Sequence, residues 1–160
     1  MGSSVVREVR MRDALKQIID FRGRTPLKLG MDWGGEILAL SANNVQPGRI
    51  DFSKEAYFGS EKLYNAWMTK GHCAKGDVLF TSEAPLGNVA RIPDDSRYIL
   101  SQRVVLLKAD EGVIFPEYLY HILQSEDVQQ SIKKLSSGST VTGIQMKQFD
   151  RVPLKLVDLP

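Results

Sequence analysis

Cysteine is nearly missing from this chain. Cys73 stands alone, so no intramolecular disulfide can form and no cluster of thiolates can hold a metal. Histidine is almost as scarce, with only His72 and His121. His72 adjoins Cys73, but sequence neighbours rarely chelate one ion together and no third ligand stands near, so no metal and no cofactor is expected. No apolar stretch approaches the roughly 20 residues that would span a bilayer. There is no recognisable secretory leader either, which makes the cytoplasm the expected compartment. Charge of one sign is lacking too: 21 basic residues against 19 acidic ones leave a net +2, so electrostatics alone announces no nucleic-acid partner.

What is present fits one domain over residues 1–160, with Met1–Ser4 reading as an expression remnant. At 160 residues, 42% of them hydrophobic, the chain can bury a core without disulfides or metal. The charges are unevenly distributed. Arg22, Arg24 and Lys28 occur without an intervening acid, and Lys133, Lys134, Lys147, Arg151 and Lys155 flank a loop of hydroxyls and glycines from Ser136 to Ile144. That loop offers backbone N–H groups and hydroxyls with no acid among them, a composition suited to a phosphate. Ordinary surface loops share it.

The periodicity predicts a short helix over Asp13–Asp20, with Leu15, Ile18 and Ile19 on one face. Gly23 and Pro26 end it. Ile37–Leu40 reads as a buried strand and Asn43–Gly48 as a turn-rich loop. Ser60 is placed to cap a helix running to Lys70, with Gly71 as its stop. Val78–Thr81 and Asn88–Ile92 form a hairpin, and Ser101–Leu107 one apolar strand. Pro116 opens a helix and Ser125 caps a second. Strands and helices do not alternate as in a βαβ chain, so the class is α+β.

The equipment for catalysis is missing. Neither Ser82 nor Ser139 sits in a glycine-framed elbow, and two histidines leave few triads to build. Asp77 and Glu83 come nearest to a metal-dependent nuclease pair, yet Ala84-Pro85 follows Glu83 where an activating lysine would be needed. No phosphate-cradling lysine loop or dinucleotide fingerprint occurs.

Several short motifs follow one another in a characteristic order. They are Gly23-Arg24-Thr25-Pro26, Gly76-Asp77-Val78-Leu79-Phe80-Thr81, Ala84-Pro85-Leu86-Gly87-Asn88-Val89-Ala90 and Leu100-Ser101-Gln102-Arg103-Val104. After them come Pro116-Glu117-Tyr118-Leu119, Gly138-Ser139-Thr140 and Val152-Pro153-Leu154-Lys155-Leu156. From about Val9 to Pro160 this order resembles a target recognition domain of a type I restriction–modification specificity subunit. The resemblance implies short mixed strands in a double β-helix-like or barrel-like core, followed by a C-terminal helical hairpin. It implies a non-catalytic reader of one half of a bipartite double-stranded DNA target. Methyltransferase and endonuclease subunits would be its partners and perform the chemistry. The family's subunits carry two such domains separated by long helices, whereas this chain holds one. It therefore reads as a fragment or as a half-subunit that could pair with itself. Three alternatives remain: the recognition module of a fused restriction–methylation enzyme, a small metal-dependent nuclease, and an interaction module built on Tyr118–Leu135.

On that resemblance, Ser139, Thr140, Thr142 and Lys147 are expected to hold the DNA backbone. Arg22, Arg24, Thr25 and Lys28 lie where arginine can fork onto guanine, and Asn43 or Asn44 could pair with adenine. Of Gln102 and Arg103, at least one should face outward and reach DNA. Trp33, Trp67, Tyr64 and Phe58 are assigned to packing rather than to base stacking.

Overall fold

Val104–Leu107 carries four apolar residues in succession, so as a strand it must be buried on both faces. The computed structural model, which describes residues 5–136 and 143–158, meets that demand. The first half of the chain contains β1 (Val5–Arg10), α1 (Met11–Ala14), β2 (Leu15–Asp20), a 3-10 turn (Leu27–Leu29), β3 (Ile37–Leu40), β4 (Val45–Gln46), β5 (Arg49–Ile50), β6 (Phe58–Gly59) and α2 (Glu61–Trp67). The second contains β7 (Val78–Ser82), β8 (Leu86–Arg91), β9 (Ile99–Leu100), β10 (Val104–Ala109), α3 (Pro116–Leu123), α4 (Glu126–Leu135), α5 (Met146–Phe149) and β11 (Pro153–Asp158).

A fully antiparallel sheet, ordered β2-β10-β7-β8, separates two cores. Strand side chains alternate between faces. Leu79, Ala90, Val104 and Leu106 therefore pack with Leu63, Trp67 and β3, while Val78, Phe80, Val89, Val105 and Leu107 pack with Leu119, Leu123, Ile132 and Phe149. On the first side lies a small sheet, β6-β3-β9, in which β9 runs parallel to β3. Two-stranded ribbons β4–β5 and β1–β11 complete the strands. The α+β class and the α3–α4 hairpin are as expected. The barrel-like core needs correction, because these sheets stay separate and none of them closes among the described residues.

Two further expectations are overturned. The helix foreseen over Asp13–Asp20 is confined to Met11–Ala14, and Leu15–Asp20 is strand β2, with Ile19 opposite Leu106 of β10. Ile18 and Ile19 face opposite cores, which a strand buried on both sides permits. The spacing of Leu15, Ile18 and Ile19 suits a helix equally well, and the long-range partner decides. The strand foreseen over Ser101–Leu107 starts later, as Val104–Ala109 in the large sheet, and is preceded by a separate short strand, Ile99–Leu100, in the small one. A turn at Ser101–Arg103, with Arg103 at φ 61°, carries the chain between them.

Local signals fared better. The Ser60 hydroxyl accepts from the Leu63 N–H at 3.1 Å, and that of Ser125 accepts from the Val128 N–H at 3.4 Å. The Ser60-capped helix stops at Trp67 rather than Lys70. Trp67 is fully buried and donates its indole N–H to the Leu100 carbonyl at 2.9 Å. Beside this core, burial pushes the Cys73 thiol up to about 12, assisted by the negative charge of Asp77.

Two outcomes follow from this packing. Trp67→Ala should cost about 3–5 kcal/mol in urea denaturation, against about 1 kcal/mol for Ser60→Ala. Cys73 should resist thiol reagents at pH 8 in the folded chain and react once it unfolds; rapid labelling of the native chain would show that this side of the first core is open.

Candidate nucleic-acid interface

Strands β2, β3, β7 and β9 end at one edge of the molecule, and β10 begins there. The loops leaving that edge are bonded to one another. The Ala42 N–H donates to the Gln102 carbonyl at 3.0 Å, and the Ser82 N–H to the Arg103 carbonyl at 3.1 Å. The Ser82 carbonyl accepts from the Ile144 N–H at 2.9 Å, and Glu83 forms an antiparallel bridge with Gly143. The Arg22 Nη1 donates to the Ser82 hydroxyl at 3.1 Å. Segments from five distant parts of the sequence thus share one face. Two clefts open on it. One, of about 390 Å³, is lined by residues that include Arg24, Thr25, Asn43, Glu55, Tyr57, Gln102 and Arg103. The other, of about 270 Å³, is lined by Arg22, Ser82, Glu83 and Gly143–Met146.

The nominated residues divide into two groups here. Five are committed to the protein itself. Arg22 grips Asp20 through Nε at 2.8 Å and Nη2 at 2.7 Å, and its remaining nitrogen holds Ser82. Burial would raise the Asp20 carboxyl, but hydrogen bonds from the Arg22 side chain and backbone outweigh it. With the charges of Arg22 and Lys70 they hold the carboxyl below its usual range. Arg24 lies over the Phe21 ring at 4.8 Å and donates to the Trp67 carbonyl at 2.5 Å, closing the C-terminus of α2. The Thr25 hydroxyl accepts from the Lys28 N–H at 3.2 Å, and Lys28 Nζ donates to the Gly23 carbonyl at 2.6 Å. Asn44 is 1% exposed. Its Oδ1 accepts from the Ser41 N–H at 3.1 Å and its Nδ2 donates to the Asp51 carbonyl at 3.4 Å, so its amide cannot meet adenine in this arrangement. These five residues shape the face instead of projecting from it.

The second group is uncommitted. Asn43, Gln102 and Lys147 are exposed, and their side chains make no hydrogen bond or ion pair among the described residues. The Arg103 guanidinium also lacks a partner there, and its Nε is buried without one. A buried donor left unpaired costs about 1–3 kcal/mol. Ser139, Thr140 and Thr142 lie outside the described residues.

Trp33, assigned to packing, does rest on Trp67, but its other neighbour is Tyr57, stacked at 5.2 Å and 10° and 62% exposed in the larger cleft. Glu55 and Tyr57 were not foreseen as part of this face. They reach it through pairing of β6 with β3, for which the sequence carries no local signal.

The nuclease pair does not assemble. Asp77 and Glu83 stand at opposite ends of β7, roughly 20 Å apart at strand rise. Asp77 is occupied by Lys108 at 2.6 Å and by the Ala74 N–H. Among the described residues no group of three potential metal ligands occurs, and no helix is long and apolar enough to cross a membrane.

Comparison with known proteins bears on the family and the fold. The model of the type I restriction modification DNA specificity domain matches residues 14–160. The chain is similar to the S subunit of a type I restriction–modification system from M. genitalium, with TM-score 0.59 and 12% identity over 96% of this chain and 34% of that one. It is similar to the HsdS subunit from Thermoanaerobacter tengcongensis, with TM-score 0.63 and 18% identity over 94% of this chain and 37% of that one. A third structure, from work on complex assembly and conformational transition of the type I R-M system, gives TM-score 0.64 and 19% identity over 93% and 37%. The chain thus spans about a third of the length of the solved chains it matches. No curated protein matches it. Identities this low speak for the fold alone, whereas the family match extends over nearly the whole sequence: the chain belongs to the type I restriction modification DNA specificity domain family.

Proposed function

We propose that this chain reads one half of a bipartite double-stranded DNA target, as all or part of the specificity subunit of a type I restriction–modification system. Breaking and making bonds falls to methyltransferase and endonuclease subunits, and the setting is the cytoplasm. The observation that carries the reading is the Arg103 guanidinium, without a partner among the described residues on a face where neighbouring cations are internally bonded. Arginine presents two parallel donors that match guanine O6 and N7 in the major groove. Asn43 and Gln102, in the same cleft, carry the amide that pairs with adenine N6 and N7. Lys147 on α5, with the adjoining hydroxyl loop of Ser139, Thr140 and Thr142, supplies contacts to phosphate that fix register.

Base contacts and phosphate contacts have different experimental signatures. Lys147→Ala should weaken binding to all duplexes alike and reduce the slope of log K against log salt by about one. Arg103→Ala should cost about 1–3 kcal/mol on the preferred site and little on random duplex. Fluorescence anisotropy across a salt series checks both. A variant lacking both side chains that binds as the parent does at low salt would overturn the assignment of this face.

Asp20→Asn removes the charge that holds Arg22 and should tighten binding to every duplex. Unchanged affinity would mean that Arg22 stays seated without its ion pair.

A further inference from the structure

The larger cleft contains an acid where a surface meeting phosphates should have none. Glu55 lines it together with Arg103, Asn43 and Gln102. Two carboxylates nearby are engaged, Asp20 by Arg22 and Asp51 by Ser53, while Glu83 lines the smaller cleft, where its charge acts on Arg22. Glu55 is exposed and forms no hydrogen bond or ion pair among the described residues. Its setting is nonetheless fixed. The Ala39 N–H donates to the Tyr57 carbonyl at 2.9 Å and the Gly34 N–H to the Phe58 carbonyl at 2.8 Å, while Tyr57 is stacked on Trp33. A Cβ at Gly35 would stand 2.3 Å from the Gly59 carbonyl oxygen, so the two backbones meet at contact distance.

We infer that Glu55 is a specificity-determining residue that accepts a hydrogen bond from the N4 amino group of a cytosine in the DNA target. The inference rests on the duplex-reading function proposed above. A free carboxylate in a DNA-facing cleft is repelled by phosphates and lowers affinity for any sequence. That cost is offset only where the target places a donor against it. In the major groove, bases offer donors only as exocyclic amino groups, and cytosine N4 is the usual partner of an acidic side chain. Arg103, a donor without acceptor capacity, shares the cleft and complements guanine. A carboxylate and a guanidinium lining one cleft therefore match the two bases of a C·G pair, and Glu55 rejects guanine or thymine in place of cytosine by presenting acceptor to acceptor.

The test is selection of bound duplexes from a randomised pool by the parent chain and by Glu55→Ala and Glu55→Gln. The parent pool should converge on a motif containing a cytosine. Glu55→Ala should keep the rest of the motif, lose preference at that one position by on the order of tenfold, and bind random duplex at least as tightly. Glu55→Gln should shift the same position toward adenine. An Ala variant that enriches the parent's motif unchanged, or that loses a position other than cytosine, overturns the inference. So does a variant whose binding falls uniformly with its thermal midpoint, since that outcome makes Glu55 a structural residue. Failure of the duplex-reading function itself looks different: the parent chain enriches nothing, and both proposals fall together.

Discussion

Ser82 uses each of its polar groups to join segments that the sequence keeps far apart. Its N–H binds the chain leaving the small sheet at Arg103, its carbonyl holds the backbone at Ile144, and its hydroxyl receives Arg22. It is 1% exposed at the end of β7, the strand that lies between β10 and β8 in the two-sided sheet. The strand's position is fixed by apolar burial on both faces, so loops anchored to its last residue inherit that precision. Surface loops usually derive their shape from their own turns. Here the shape is imposed from below, by a hydroxyl that has no water to bond instead.

The same economy accounts for the cations. An arginine that bonds a carboxylate bidentately, or closes a helix end, cannot also fork onto a base. Arg22 and Arg24 are therefore parts of the frame, although each lines one of the two clefts. Substituting either by alanine removes a bond to a distant segment, at Ser82 or Trp67, and loosens the loops instead of deleting a single contact. On the proposed function the readers are groups whose bonding capacity is unspent, and among the described residues of this surface those are few.

How much of this was legible depended on sequence distance. Helix starts were readable because their causes are local: Ser60, Ser125 and Pro116 act within one turn of their own positions. Strand β2 was not, because what makes Leu15–Asp20 extended is β10, about ninety residues later. The late start of β10 was hidden for a related reason, since the turn before Val104 exists because Ile99–Leu100 pairs with β3 in a different sheet. The surroundings of the nominated residues were legible only in part. Motif order pointed to loops that the fold does bring together, but whether a given arginine is spent depends on partners 43 or 60 positions away. Glu55 was invisible, because its charge has meaning only once the β3–β6 pairing brings it beside Arg103.

On the proposed function a net charge of +2 is small, and setting the committed cations aside makes it smaller still. Arg22, Arg24, Lys28 and Lys108 all point at protein atoms, so the field offered to a duplex is smaller than their number suggests. On the proposed function this restraint has a use. Affinity for random DNA scales with phosphate contacts and is lost quickly with salt, whereas discrimination comes from base edges. A half-site reader that grips the backbone lightly keeps its non-specific background low, and an acid in the cleft lowers it further. Total affinity can then come from linkage to a second reader, because tethering raises effective concentration without adding any contact that a wrong sequence could share. Weak electrostatics in each half and strong coupling between halves make a two-part target more selective than one strongly basic domain would be.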